Sequence, residues 1–346
     1  MHNQEFGETG LTIPRIVYGT SCLGNLYEAI PDATKLAISR EWFAHHAPPA
    51  VIDTAGKYGA GLALEVIGRN LRQLDIPPEQ VVISNKLGWK RVPLQTPEPT
   101  FEKGVWADLE YDAEQCISYN GILDCWEQGC ELIGEVYRPQ LLSVHDPDEY
   151  LAAASSQGER EKRFDDIIEA YKALHMLKSR GQTQAIGVGS KDWRLIAELE
   201  SAVELDWVMF ANSLTIYRHP ADLLQFIARL TEKKIGVINS AVFNAGFLIG
   251  GKYFDYRIPS VDNQADREVI VWRDEFLDLC KRQDVLPATA CIQFGLSPPG
   301  VAAIALNTSE PERVEQNVAA VEASIGSEFW EEAKQLGLVA ADYSYV

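Results

Sequence analysis

Four polar side chains stand where apolar strands should end, and together they define one kind of chemistry. Asp53 lies in the run "AVIDTA" (50–55), and Tyr58 follows it in "DTAGKYG". Lys86 lies in "SNKLG", within the run "QVVISNKLG" (80–88), and His145 ends "QLLSVH" (140–145). A lysine buried in an apolar strand needs a counter-charge, and Asp53 on the preceding strand is the natural one. A phenol titrates near ~10, too high for free proton exchange at neutral pH. A neighbouring ammonium favours the phenolate. The expectation is that Lys86 tunes Tyr58 and Asp53 holds Lys86. Tyr58 then acts as general acid/base toward an alcohol or carbonyl oxygen, with His145 hydrogen-bonded to that same oxygen. Singly, each residue has an ordinary reading: a cap, loop packing, a snorkelling lysine, a core histidine. All four at the ends of successive strands are harder to explain so. No nucleophilic serine or cysteine stands out, and no carboxylate cluster implies a metal. Proton transfer at such an oxygen points to hydride exchange with a nicotinamide.

These residues can meet only if the strand ends converge. Eight short runs qualify as strands: 15–20, 50–55, 80–88, 140–145, 184–189, 206–211, 235–241 and 300–306. Each is nearly all apolar, as a parallel strand buried on both faces should be. Helical patterns alternate with them. Residues 161–179 put Phe164, Ile167, Ile168, Tyr171 and Leu174 on one face, and Gly181 ends that helix. Residues 192–203 open on a good N-cap, Asp192. Residues 221–234 and 310–323 behave alike, the latter with Pro311 at its start. The alternation predicts an α/β (β/α)8 TIM barrel, with 1–346 as a single domain. An open doubly wound sheet is the alternative. Against it, the first strand exits into "GTSCLGNLYEAI", which lacks the G-x-G-x-x-G spacing. Two long βα loops, 89–111 and 242–264, should emerge at the C-terminal face, where such barrels carry their sites. Trp89 and Trp106 in the first could stack on a sugar face or simply pack the loop.

With 46% hydrophobic and 23% charged residues in 346, the composition is ordinary for a globular chain. A net charge of −19 argues against nucleic acid and anionic membrane surfaces as partners. No apolar run reaches the length of a membrane span. "MHNQEFGETG" has no signal-peptide pattern, so a cytoplasmic location is expected. The six cysteines form no CxxC pair and show no zinc spacing. They read as small buried side chains, with Cys125 and Cys130 the only close pair.

From end to end, the chain resembles the aldo-keto reductases. Asp53, Tyr58, Lys86 and His145 match that family's catalytic tetrad, and "AIGVG", "GVINSA" and "SEPERVEQN" match other segments. The resemblance implies a barrel that binds NAD(P) extended across its C-terminal face. It implies cofactor contacts from Gly19, Thr20 and Asp53, and from Gly189 and Ser190, which stand where the family often has Ser-Asn. No glutamine equivalent is clear among Met209–Asn212, and Asn212 is carried as the nearest candidate. Ser240 falls at the expected pyrophosphate position, with Gly246 and Leu248 in the loop that folds over it. In "LNTSEPERVEQN", Asn307 replaces a lysine that often meets the 2′-phosphate of NADP. Thr308, Arg313 and Asn317 are retained types, and Gln316 replaces a glutamate. Loss of the lysine removes a point charge from the phosphate site and tilts the expectation toward NAD, although "EPERVEQN" also reads as a plain helix start.

Within the family, "AIGVGSKDW" and "YRPQLLSVHDPDEYL" resemble the sugar-oxidising aldose 1-dehydrogenases acting on L-fucose, L-galactose or D-threo-aldoses. That implies a small sugar substrate, oxidised at C1 to the lactone, beside Tyr58, His145, Trp89 and Trp106. Pyridoxal 4-dehydrogenation and NADPH-dependent carbonyl reduction fit the same tetrad. A nucleotide-sensing partner protein without catalysis is the alternative of another class. The sequence sets no oligomeric state.

Overall fold

The computed structural model describes every residue except Met1, His2, His46 and Tyr256. Eight parallel strands close into a barrel: β1 (Ile16–Gly19), β2 (Ala50–Ala55), β3 (Val81–Leu87), β4 (Leu141–His145), β5 (Ala185–Ser190), β6 (Trp207–Ala211), β7 (Gly236–Ser240) and β8 (Val301–Leu306). Each pairs with its neighbours in sequence, and β8 returns to β1, so the open-sheet alternative is excluded. Each expected strand is present with its ends moved by a residue or so.

Strand parity decides what the barrel holds. Side chains alternate between faces with a period of two. Val17, Val51, Val82, Leu141, Ala185, Trp207 and Ile238 form the inner cluster with Phe6 and Ile13. These last two come from a short N-terminal hairpin, Gln4–Glu5 with Thr12–Ile13, that plugs one end. Counting in twos from Val51, Val82 and Leu141 reaches Asp53, then Ser84 and Lys86, then Ser143 and His145. Apolar residues thus fill the amino-terminal layers and polar ones the carboxyl-terminal layer. Trp207 fits inside only because Gly187 faces it: a Cβ there would lie 2.6 Å from the indole.

The other strand faces pack a larger apolar shell against the surrounding helices. Gln157–Ser179 begins four residues earlier than the apolar spacing indicates. There Ser156 accepts from the Glu159 N–H, an N-cap in a polar stretch that apolar periodicity does not register. Helix Trp193–Ala202 does open on Asp192. In the last expected helix, Glu312–Glu322, Pro311 stands just outside as the cap residue. The segment after β3 is not a plain loop. Trp89–Pro93 and Tyr111–Gln115 form an antiparallel ribbon that holds residues 94–110 between them.

Candidate active site

The barrel register brings the four residues to one place. Lys86 Nζ lies 2.5 Å from Asp53 Oδ2 and 3.3 Å from the Thr54 carbonyl. Asp53 Oδ1 accepts a 3.0 Å bond from Ser84 Oγ. Both members of the ion pair are buried, so neither charge is left without a partner. The Lys86 ammonium sits 4.8 Å from the centroid of the Tyr58 ring. The Tyr58 and His145 rings meet edge to face at 5.6 Å.

Tyr58 is delivered by a tight loop rather than by a strand. Gly59, the next residue, has φ of +61°, and a Cβ there would collide with Gly24. Glycine is therefore required at the turn that aims the phenol inward.

A second set of charges surrounds the first. Buried Lys57, directly before Tyr58, binds Glu102 at 2.9 Å, Asp146 at 3.0 Å and Glu149 at 2.8 Å. Lys191 binds the other oxygen of Glu149 at 2.5 Å. Burial opposes the charge on Lys57, but the three carboxylates carry it above the ordinary lysine range. Burial likewise opposes ionisation of Asp146, but His145, Lys57 and Lys191 hold it well below the usual carboxylate range. His145 is pushed well below its ordinary value by burial. Asp146 opposes this, while Lys86, Lys57 and Lys191 add to it. At neutral pH the imidazole is therefore uncharged, and it can offer one donor and one acceptor.

Two cavities open on this cluster. The smaller, about 210 Å³, includes Lys86, His145, Trp106, Glu102 and Asp146 in its lining. The larger, about 500 Å³, runs from Asp53 past Gly19 and Thr20 to Arg313, Gln316 and Asn317. Tyr58, Met209, Ala211 and Ser240 line both.

Most of the expected cofactor residues lie on these walls: Gly189 and Ser190 on the smaller, Gly246, Asn307 and Thr308 on the larger. Three of the expected site residues lie outside both cavities. Leu248 is fully buried in the apolar shell and lines neither cavity. Asn212, just past β6, lines neither cavity, and its backbone N–H bonds to Ser240 O at 3.3 Å. Trp89 packs on Phe101 and covers the Lys57 ammonium at 5.0 Å, so of the two tryptophans only Trp106 reaches the pocket.

Sequence reasoning missed Ser84, Lys57, Glu102, Asp146, Lys191 and Glu310. Ser84 was findable, since it sits two residues before Lys86 on the inward parity. Lys57 and Asp146 adjoin tetrad residues, but their pairing joins separate loops and leaves no spacing signal.

Asp, Lys, Tyr and His gathered at the carboxyl ends of a closed (β/α)8 barrel define an oxidoreductase site of one recognisable kind. Residues 15–337 match the Aldo/keto reductase family, and the chain belongs to that family. Two curated relatives are similar along almost their whole length. Pyridoxal 4-dehydrogenase of Microbacterium luteolum is 26% identical, covering 96% of this chain and 97% of that one. D-threo-aldose 1-dehydrogenase of a Pseudomonas species is 27% identical, covering 95% and 96%. Among solved structures, an aldo-keto reductase of Bacillus halodurans in its holo form superposes with a TM-score of 0.69 at 18% identity, covering 99% and 98%. At that identity it supports the fold alone.

Proposed function

We propose that this enzyme oxidises an aldose at C1 to the lactone, with NAD as the preferred acceptor. The observation that carries the reading is the shared wall. Tyr58, backed by the Lys86–Asp53 pair, lies where a small pocket with charged and apolar walls meets a long groove.

The groove suits a dinucleotide. Gly246 has φ of +89° with open space where a Cβ would stand, so backbone can approach a ligand there. At the far end, Arg313, Gln316 and Asn317 lie in the first turns of helix Glu312–Glu322, where N–H groups and the helix dipole favour a phosphate. Arg313 Nε is bonded at 2.9 Å to Glu310 Oε2, and both line the groove. Asn307 accepts from the Cys22 N–H at 3.3 Å and brings no charge. An extra 2′-phosphate would meet a neutralised pair and an amide, which supports NAD over NADP.

A bound nicotinamide supplies the hydride acceptor. The chain supplies the proton path. Held as the phenolate by the adjacent Lys86 ammonium, Tyr58 Oη takes the proton of the anomeric hydroxyl and becomes the neutral phenol. Asp53 fixes Lys86 in place. Neutral His145 hydrogen-bonds the reacting oxygen and sets its direction. Glu102 and Asp146, which line the same pocket, accept hydroxyl hydrogens, and Trp106 offers an apolar face for ring C–H groups. Acceptors beside an aromatic face suit a polyhydroxy ring, and D-threo-aldose 1-dehydrogenase is among the relatives. Pyridoxal 4-dehydrogenase is another, so pyridoxal is the second candidate substrate.

The test is a panel of L-fucose, L-galactose, D-threo-aldoses and pyridoxal with each oxidised cofactor, and of simple aldehydes with NADPH, followed by nicotinamide absorbance. Fastest turnover of an aldose with NAD is expected. Faster aldehyde reduction with NADPH overturns the aldose assignment. Cofactor binding without turnover of any substrate establishes the nucleotide-sensing alternative. Replacing Tyr58 by Phe should lower kcat by ~10²-fold or more, the usual weight of general acid–base catalysis, with cofactor affinity largely kept.

A further inference from the structure

Two thiols that the catalytic reading leaves unused lie in contact. Cys116 ends the ribbon that follows β3, its backbone N–H bonded to Gly88 O at 2.8 Å. Cys125 belongs to helix Tyr119–Ile133. Their Sγ atoms are 3.5 Å apart, and either thiol can donate to the other. The expected close pair, Cys125 with Cys130, has no such contact among the described side chains. Cys130 is offset by five positions along the same helix, which turns its side chain to another face.

The two sulfurs are not equivalent. Cys125 is buried, whereas Cys116 is partly exposed. Lys90 stands nearby, its Nζ bonded at 2.7 Å to Asp124, the residue before Cys125. The hydrogen bond from Cys125, helped by Lys90 and opposed by burial and by the Asp124 and Glu114 carboxylates, holds Cys116 below the ordinary thiol value. The same bond and burial push Cys125 well above it. Cys22, Cys280 and Cys291 are buried, and burial raises all three thiols. Cys130 is pushed up to about 11, again by burial. A partly exposed thiol held below its ordinary value, with a second thiol in contact at 3.5 Å, is the arrangement that redox-responsive cysteines need.

We infer that Cys116 and Cys125 are a peroxide-oxidisable pair, with Cys116 the attacking sulfur and Cys125 the resolving one. The Cys116 thiolate attacks one oxygen of a hydroperoxide. An S–O bond forms, the O–O bond breaks, and the departing oxygen takes a proton to leave as water or alcohol. Cys125 sulfur then attacks the sulfenic sulfur. The S–S bond forms, the S–O bond breaks, and the leaving oxygen takes the Cys125 proton to give water. The two thiols lose two electrons, and the peroxide gains them. Closing the contact to about 2.05 Å fastens the foot of the ribbon to the helix. That ribbon carries the segment with Glu102 and Trp106, so oxidation adds a covalent anchor beside the pocket.

The full-length protein is treated with a small excess of hydrogen peroxide at neutral pH. Its mass should fall by about 2 Da, as two thiols become a disulfide. The count of titratable thiols in denaturant should drop by two from six, with both changes reversed by dithiothreitol. Peptide mapping should find a Cys116–Cys125 link. Cys125→Ser should stop at a sulfenic acid on Cys116 that dimedone traps. Cys116→Ser should lose no thiols, and Cys130→Ser should behave as the parent. An unchanged parent mass, a link to Cys130, or equal thiol loss in Cys116→Ser overturns the inference.

Discussion

The pairing of Lys86 with Asp53 does two jobs that a double substitution separates. Structurally, it cancels two charges that the barrel interior could not hold alone. Chemically, it places an ammonium 4.8 Å from the Tyr58 ring centroid. Lys86→Met leaves Asp53 buried without its cation and should cost about 3–5 kcal/mol of stability, as broken buried pairs do. Adding Asp53→Leu removes the stranded charge, so the double variant should regain most of the lost denaturation midpoint. It should not regain turnover, because the phenol still lacks its cation. Recovery of both stability and kcat would show that the pair only builds the barrel. At this scale the sequence was highly legible. Asp53, Lys86 and His145 are polar residues in apolar strands, and that contradiction is visible without coordinates. Tyr58 needed more, since its inward aim depends on the Gly59 turn against Gly24.

Among the elements, the strands were legible because a doubly buried strand is almost all apolar. The ribbon after β3 was not. Its two strands, Trp89–Pro93 and Tyr111–Gln115, are half-exposed, mix charges with aromatics, and are separated by seventeen residues of irregular chain. Nothing local announces that they pair. The segment between them is held down by Glu102, which gives one oxygen to Lys57 at 2.9 Å and the other to Trp106 Nε1 at 2.7 Å. Trp106 in turn lies 6.0 Å from the Tyr58 ring. Glu102→Gln keeps the shape and the bond to Trp106 but removes the charge facing Lys57. Lys57 stays satisfied by Asp146 and Glu149, so the fold should survive. The segment should open more often. The expected result is a KM raised roughly tenfold, equivalent to about 1.4 kcal/mol, with kcat little changed and faster tryptic cleavage after Lys103. Unchanged KM and unchanged cleavage would mean that the contact does not hold the segment.

Across the whole molecule, the carboxyl-terminal segment is fastened to the barrel through a second histidine, half-buried, and this makes stability depend on pH. His219 precedes helix Ala221–Glu232, and its ring lies 4.9 Å from Phe294 and 5.4 Å from Tyr343. Nδ1 donates to Thr215 O at 3.3 Å, and Nε2 accepts from the Ala340 N–H at 3.1 Å. Those partners fix the neutral tautomer, since a protonated Nε2 would face another donor. Burial draws His219 below its ordinary value, although the Thr215 and Ile216 backbone and Asp342 oppose the shift. His145 is shifted the same way. When the folded value lies below the unfolded one, near ~6.5 for histidine, the unfolded chain binds more protons in the interval between them. Stability is therefore full above that upper limit and is lost as pH falls toward the folded value. The parent should lose thermal stability between about pH 7.5 and 5, with a slope that reflects both histidines. His219→Gln keeps an acceptor for Ala340 and cannot titrate, so its Tm should fall less over the same interval, leaving the slope that belongs to His145. Identical slopes for parent and variant would show that the tail is held by its apolar contacts, Tyr343 on Phe294 at 4.6 Å foremost, and that His219 protonates without disturbing them.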